Sequence, residues 1–432
     1  MALPNPVIVI PGITANYLSD QYSLPPENIW TPLVRDFDRS ALHPDDRRYE
    51  AVEPARVAPG QLFELCYKEL IEELRYNLRE TEDLPVPVFP FSYDWRQPLA
   101  ETERNLADFV NEVISRTGLL RHYHRDPWKL APKVNLVGHS MGGLIIAGYL
   151  QGRGAASQVG KVATIAAPFK GSFESVIKVV TGTANLGVSA PSSREREAAR
   201  MTPALYHLLP DRIEELDLPP PFGSLFEVDV WQPSILETIA EYIRLRGLGE
   251  GDPQAQSRLA LKSMLDDGLG HRQRLTDFAL ANAGLQTDDW LCIVGSDAET
   301  RVALRVIRNP ADQLPQFDLR SADRSNEWGS RTIAKRWLTG DGTVHLRGAV
   351  PAFLPPESLV CVTPDDFGYW ELVDRGLARA SGFHGFMPTM DMLHRMIVRH
   401  FTGRPDRNKN TWGSPLPGIG RNWKPPLPLD QK

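Results

Sequence analysis

Val134-Asn135-Leu136-Val137-Gly138-His139-Ser140-Met141-Gly142-Gly143 is a short apolar run that leads into a glycine-flanked serine and then into the helix-forming stretch Leu144 to Leu150. It reads as a strand, a sharp turn and a helix with Ser140 at the apex, a nucleophile elbow. A serine there takes a strained backbone conformation that only small neighbours, here Gly138 and Gly142, tolerate. The turn pushes Oγ clear of the sheet, and the next amide, that of Met141, points at the place where an oxyanion would form. The strand before and the helix after are the context that separates this pattern from chance occurrences of G-x-S-x-G.

Working outward, Val7-Ile8-Val9-Ile10 is a continuous β-branched run ended by Pro11-Gly12, as expected of a strand buried on both faces of a parallel sheet. The stretch Ser19 to Gly60, rich in Pro, Asp and Arg, reads as irregular surface chain. Gln61 to Leu78 has a helical stripe at Leu62, Leu65, Cys66, Leu70, Leu74 and Leu78, and Thr102 to Thr117 has another; Val86 to Phe89 between them has strand character. Val162 to Ala166 is the next strand. This alternation predicts an α/β-hydrolase fold, a mostly parallel, doubly wound sheet.

Residues 173–288 break the rhythm with helical segments at Ser234 to Arg246, at Asp252 to Leu265 (Asp252 as N-cap, Pro253 first in the helix) and at His271 to Ala283. They predict a helical cap inserted between two parts of the core, 1–172 and 289–402. Trp290 to Gly295 and Ser358 to Val362 return to the sheet. Residues 403–432, dense in Pro, Gly and basic side chains, read as a tail laid over the surface or disordered.

The chain has 432 residues, 42% hydrophobic and 24% charged, with a net charge of -6. These are the proportions of an ordinary globular protein, and the negative balance argues against a nucleic-acid partner. No apolar run is long enough to span a bilayer, and no basic leader precedes the first strand, so the sequence reads as cytoplasmic. Cys66, Cys292 and Cys361 are scattered and odd in number, with neither a disulfide framework nor metal-ligand spacing.

In this fold the acid and then the histidine follow the serine along the chain. Gly340-Asp341-Gly342 sets a carboxylate between two glycines that let the backbone turn sharply; Asp297, after the strand ending at Gly295, is the less favoured alternative. For the base, His384 sits in a loop before the helical run Thr389 to Phe401, whereas His394 and His400 fall within that run and His345 is too close to Asp341. The expected set is therefore Ser140, Asp341 and His384, with His139 a packing or positioning residue. The second oxyanion amide must come from the loop after the first strand, which points to Ile13. The chemistry needs no cofactor and no metal.

With these residues in place, the chain resembles the lecithin:cholesterol acyltransferase family of α/β-hydrolases, which includes phospholipase-like and acyltransferase-like members. The resemblance rests on Pro11-Gly12 followed by Asn16 and Leu18, on Leu42-His43-Pro44-Asp45, on Phe91-Ser92-Tyr93-Asp94-Trp95-Arg96, on the elbow, on Ala167-Pro168-Phe169-Lys170-Gly171-Ser172, on Gly340-Asp341-Gly342-Thr343-Val344, and on Thr202 to Pro210. It implies the same triad, Ser140, Asp341 and His384, and the same amides, Ile13 and Met141. Tyr93, Asp94, Trp95 and Arg96 form its most discriminating element, either touching substrate or pairing as a buried ion pair that staples two loops. The chain departs from the family at Ala15, where glycine is usual, and in lacking its secretory signal and early disulfide, which argues against extracellular lipoprotein work.

The expected function is cleavage of carboxylic esters of lipophilic acyl groups through an acyl-enzyme on Ser140. Transfer of the acyl group to an alcohol acceptor uses the same residues, and a catalytically inactive binding or scaffold protein of the same fold is the alternative from another class. The partners implied are a lipophilic ester and, transiently, a membrane surface; the sequence leaves the oligomeric state open.

Overall fold

The computed structural model describes residues 3–42, 55–183, 190–211, 216–246, 251–319, 339–405, 413–420 and 422–427. Its first strands are β1 (Val7–Ile10), β2 (Asn16–Asp20), β3 (Glu27–Trp30), β4 (Val57–Leu62), β5 (Val88–Pro90) and β6 (Val134–His139). They are followed by β7 (Val159–Ile165), β8 (Leu216–Asp217), β9 (Trp290–Gly295), β10 (Leu304–Arg308), β11 (Pro315–Asp318) and β12 (Leu359–Val362). The longer helices are α1 (Glu64–Asn77), α2 (Leu99–Leu119), α3 (Met141–Arg153), α4 (Phe173–Thr181) and α5 (Ser193–Arg200). Then come α6 (Pro233–Arg246), α7 (Pro253–Thr276), α8 (Leu372–Ser381) and α9 (Asp391–Thr402).

Six strands form the central sheet in the order β12-β9-β7-β6-β1-β5, parallel throughout. Both faces are covered, which is why β1, β6, β9 and β12 are apolar without alternation. Ile8, Ile10 and Leu136 face α2 and α3, while Val7, Val9 and Val137 face α1 and α9. From β1 the chain passes to β5 on one side and then to β6 on the other. The carboxyl ends of β1 and β6 therefore flank a topological switch point, the place where a crevice opens in such sheets. The architecture is the α/β-hydrolase fold that the alternation predicts.

A third core lies outside the sheet. It joins α4, α6 and α7 through Phe173, Val176, Ile239, Tyr242, Leu261 and Leu265, and it also takes in Leu304, Val306 and Phe317 from β10 and β11. The segment 173–288 is thus not wholly helical in its partners: β8 pairs in parallel with β10, which pairs antiparallel with β11. The N-cap expected at Asp252 is present, its carboxylate accepting from Gln254 and Ala255 N–H, and the helix it starts runs on to Thr276.

Two expectations are corrected. The stretch Ser19 to Gly60 is not all irregular, because β2, β3 and β4 form an antiparallel sheet in the order β3-β2-β4. Pro59 and Gly60 disguise β4, and both are tolerated because it is an edge strand with a register shift opposite Leu18. On α1 the buried stripe is Tyr67, Leu70 and Leu74, whereas Leu65 is 59% exposed. Of the C-terminal segment, Ser414 pairs with Cys361 at the sheet edge, and Leu416 and Leu427 are buried. Among the described residues no helix is long and apolar enough to cross a membrane.

Candidate active site

The turn from β6 into α3 is as tight as its sequence requires. Ser140 has φ 53° and ψ -126°, a conformation costing a non-glycine residue roughly 1–3 kcal/mol. It is held by Ser140 N–H donating to Ile165 O at 2.8 Å and by Gly143 N–H returning to Ser140 O at 2.9 Å. A methyl group on Gly142 would collide with the carbonyl of Ile10, and one on Gly138 would press on the Gly142 backbone, so both glycines are required for helix α3 to sit this close to β1.

Ser140, His384 and Asp341 meet in one hydrogen-bonded chain. Ser140 Oγ lies 2.8 Å from His384 Nε2, and His384 Nδ1 lies 2.7 Å from Asp341 Oδ2. The other Asp341 oxygen accepts from Thr343 N–H at 2.9 Å and Val344 N–H at 2.7 Å, and His384 N–H donates to the Asp341 carbonyl at 2.9 Å. A carboxylate so placed can only accept, so the imidazole proton sits on Nδ1 and Nε2 is free to accept the serine proton. Gly342, at φ 99°, makes the turn that aims Asp341, and its N–H donates to Thr300 Oγ1 at 2.8 Å. His384 pairs with Asp341 and not with Asp297, whose neighbour Ala298 instead braces the Asp341 loop through Gly340 O at 2.9 Å.

Met141 is the first residue of α3, so its N–H has no acceptor within the helix. Ile13 lies in the turn after β1 and lines the same cavity as Ser140. Three side chains fix that turn: Tyr67 OH accepts from Gly12 N–H at 3.0 Å, Tyr93 OH donates to Pro11 O at 2.9 Å, and Trp30 Nε1 donates to Thr14 O at 3.0 Å.

His139 does more than pack. Its Nδ1 lies 2.7 Å from Tyr67 OH and its Nε2 lies 3.0 Å from the carbonyl of His384. Since that carbonyl can only accept, Nε2 carries the proton and Tyr67 donates to Nδ1. Burial, and then the nearby His384, hold the His139 pKa well below its ordinary value, so the ring is neutral. Burial above all pushes the Tyr67 phenol well up, keeping it protonated as this bond needs. The chain Gly12, Tyr67, His139, His384 thus joins the turn after β1 to the backbone of His384.

The Tyr-Asp-Trp-Arg element divides in two. Tyr93 holds the turn at Pro11, and Trp95 lines the cavity and packs on Trp30 at a centroid distance of 4.7 Å. Asp94 and Arg96 form a two-pronged ion pair, 2.8 Å on each side, with Arg96 buried and also donating to Arg39 O at 3.2 Å. Burial alone would raise the Asp94 carboxyl; the charge and hydrogen bonds of Arg96 outweigh it and leave the pKa below the usual value. This pair lies outside the cavity walls and fits the loop staple. Of the Leu42 to Asp45 motif, His43, Pro44 and Asp45 fall outside the described residues.

The cavity over Ser140 measures about 320 Å³, within the roughly 300–1,000 Å³ of ligand sites, and is largely apolar, with Ile13, Trp30, Phe63, Leu205, Leu208 and Phe386 among its walls. Tyr67, Trp30 and Arg35 carry no motif, and nothing in the sequence singles them out; each reaches the site through tertiary packing.

A family model described as lecithin:cholesterol acyltransferase matches residues 63–219, a span that holds the elbow and the Tyr-Asp-Trp-Arg element. The resemblance read from the motifs is thereby borne out. No curated protein matches the chain in sequence. Among solved structures, a chain of the crystal structure of the Tle4-Tli4 complex is similar with a TM-score of 0.55 and 15% identity, over 81% of this chain and 89% of that one. At that identity the likeness speaks for the fold.

Proposed function

We propose that the protein is a serine hydrolase that cleaves carboxylic esters of lipophilic acyl groups through an acyl-enzyme on Ser140. The observation that carries the reading is the hydrogen-bonded chain Ser140, His384, Asp341 at the wall of an apolar cavity. As Ser140 Oγ attacks the acyl carbonyl, His384 Nε2 takes its proton and Asp341 steadies the imidazolium. The N–H groups of Met141 and Ile13 hold the oxyanion, each worth on the order of 10² to 10³ in rate. Collapse breaks the ester C–O bond, and His384 returns the proton to the departing alcohol. Water then attacks the acyl-enzyme by the same route, releasing the acid and restoring Ser140.

In this reading residues 173–288 act as the cap that chooses the acyl group. Ser175 and Lys178 of α4, Ala198 and Ala199 of α5, and Leu205 and Leu208 all reach the cavity, which supports that role. The family match favours a second reading, transfer of the acyl group to an alcohol. Adding a primary alcohol to the reaction separates the two: transfer yields a new ester at the expense of free acid.

A fluorophosphonate probe tests the whole proposal. It should label the protein at Ser140 and leave Ser140→Ala unlabelled; an unlabelled wild type, or equal labelling of the two, overturns it.

A further inference from the structure

Arg35 stands in the wall of the catalytic cavity and forms no ion pair with a carboxylate among the described residues. It follows β3, bridging back to Trp30, and its guanidinium lies over the Trp30 ring at 4.2 Å. Its Nη1 donates to the carbonyl of Val34 at 3.0 Å, and its buried Nε–H has no acceptor. Acids are nearby in sequence, but Asp36 pairs with Arg39 and Asp38 with Arg246. Half-burial pulls the Arg35 pKa down. The same cavity is lined by Lys178 and, one helical turn earlier on α4, by Glu174. Neither takes part in an ion pair among the described residues. Lys178 and Glu174 are of opposite sign, so with Arg35 the three side chains give the cavity wall one net positive charge.

Cleaving a neutral ester gives no use to a cation in an apolar pocket, where a charge interacts strongly and is costly to leave uncompensated. The planar guanidinium fork suits an oxyanion of two or three oxygens. We propose that Arg35, assisted by Lys178, determines substrate specificity by binding a negatively charged group, a phosphodiester or a carboxylate, borne by the ester whose acyl group Ser140 receives. This deepens the hydrolase reading and rests on it. The ester is thus a lipid-like molecule with an anionic head or an anionic end.

The test compares kcat/KM for dihexanoyl phosphatidylglycerol with that for dihexanoylglycerol, both as monomers, and for p-nitrophenyl hemisuccinate with that for p-nitrophenyl butyrate. The first pair probes the phosphodiester and the second the carboxylate. The wild type should favour the anionic member of at least one pair, with the preference falling as salt is raised. In Arg35→Gln the anionic-to-neutral ratio should fall about ten- to a hundredfold, and Arg35→Lys should recover part of it. Lys178→Gln should lower the ratio less. Because each measurement is a ratio within one protein, a general loss of folded enzyme cancels. Equal ratios in wild type and Arg35→Gln, with p-nitrophenyl butyrate still hydrolysed, overturn the anion site alone. If the wild type hydrolyses none of the four esters, the hydrolase reading falls as well.

Discussion

At the residue scale, one phenol carries two duties. Tyr67 OH accepts from Gly12 N–H and donates to His139 Nδ1, while His139 Nε2–H holds the carbonyl of His384. Removing the hydroxyl leaves two buried polar groups unpaired, at roughly 1–3 kcal/mol each. That loss falls on the turn that carries Ile13 and on the backbone that carries His384, not on the cavity's apolar walls. Tyr67→Phe should therefore lower kcat for a p-nitrophenyl ester by about tenfold or more and leave KM within about twofold; a rise in KM at constant kcat would contradict this. His139→Asn, which keeps a donor and an acceptor, should retain more activity than His139→Leu. Ser140 and Asp341 were legible in the sequence because glycines flank a turn at each, and the turn dictates where the side chain goes. His384 was reached by setting aside the other histidines, and it lies in a short helical turn, Phe383–Phe386, rather than in the loop expected. Tyr67 and Arg35 were not legible, since a helix residue and a loop residue gain their place only when separate elements are brought together.

At the scale of elements, the site depends on how closely a helix approaches a strand. The first turn of α3 rests on the end of β1, where the Ile10 carbonyl leaves room only for the hydrogen of Gly142. Gly142→Ala should force the helix outward by several tenths of an ångström, cost about 1–3 kcal/mol and abolish fluorophosphonate labelling; retained labelling would show that the packing yields. A second joint ties α7 to α2. Glu103 accepts from His271 at 2.8 Å and from Arg274 at 3.1 Å, with Glu103 and His271 both buried. Arg274 is partly exposed, so most of the coupling should come from the His271 bond. A double-mutant cycle of Glu103→Ala and His271→Ala, read by urea unfolding, should give a coupling of about 1–3 kcal/mol. Additive effects would mean that the joint does not hold α7 in place. The strands of the central sheet could be read directly because burial on both faces writes them as unbroken apolar runs. The β2-β3-β4 sheet could not, since its alternating polar positions and its Pro59 and Gly60 resemble loop sequence.

At the scale of the whole molecule, buried histidines set a response to acid. Burial is the first cause that lowers the pKa values of His139, His271, His394 and His400, the last to about 3. Each sits in a different place: at the elbow, in the α2-α7 joint, and at two points along α9. In the unfolded chain a histidine takes up a proton near pH 6.5. As the pH falls below that value, the unfolded state binds protons that the native state refuses, and stability drops. The loss begins at the unfolded value and continues until the native histidines themselves accept protons. Each group contributes up to about 1.4 kcal/mol per pH unit, so the four together give a steep decline between about pH 6.5 and 5, above the range where carboxylates titrate. Urea unfolding across that window should show this decline. His400→Gln should reduce the slope by about a quarter, because the amide can still meet the Asp289 carbonyl but carries no titrating proton. A flat profile between pH 6.5 and 5 would mean that these rings are protonated in the native state, which their burial opposes, reinforced at His400 by the cation of Lys161.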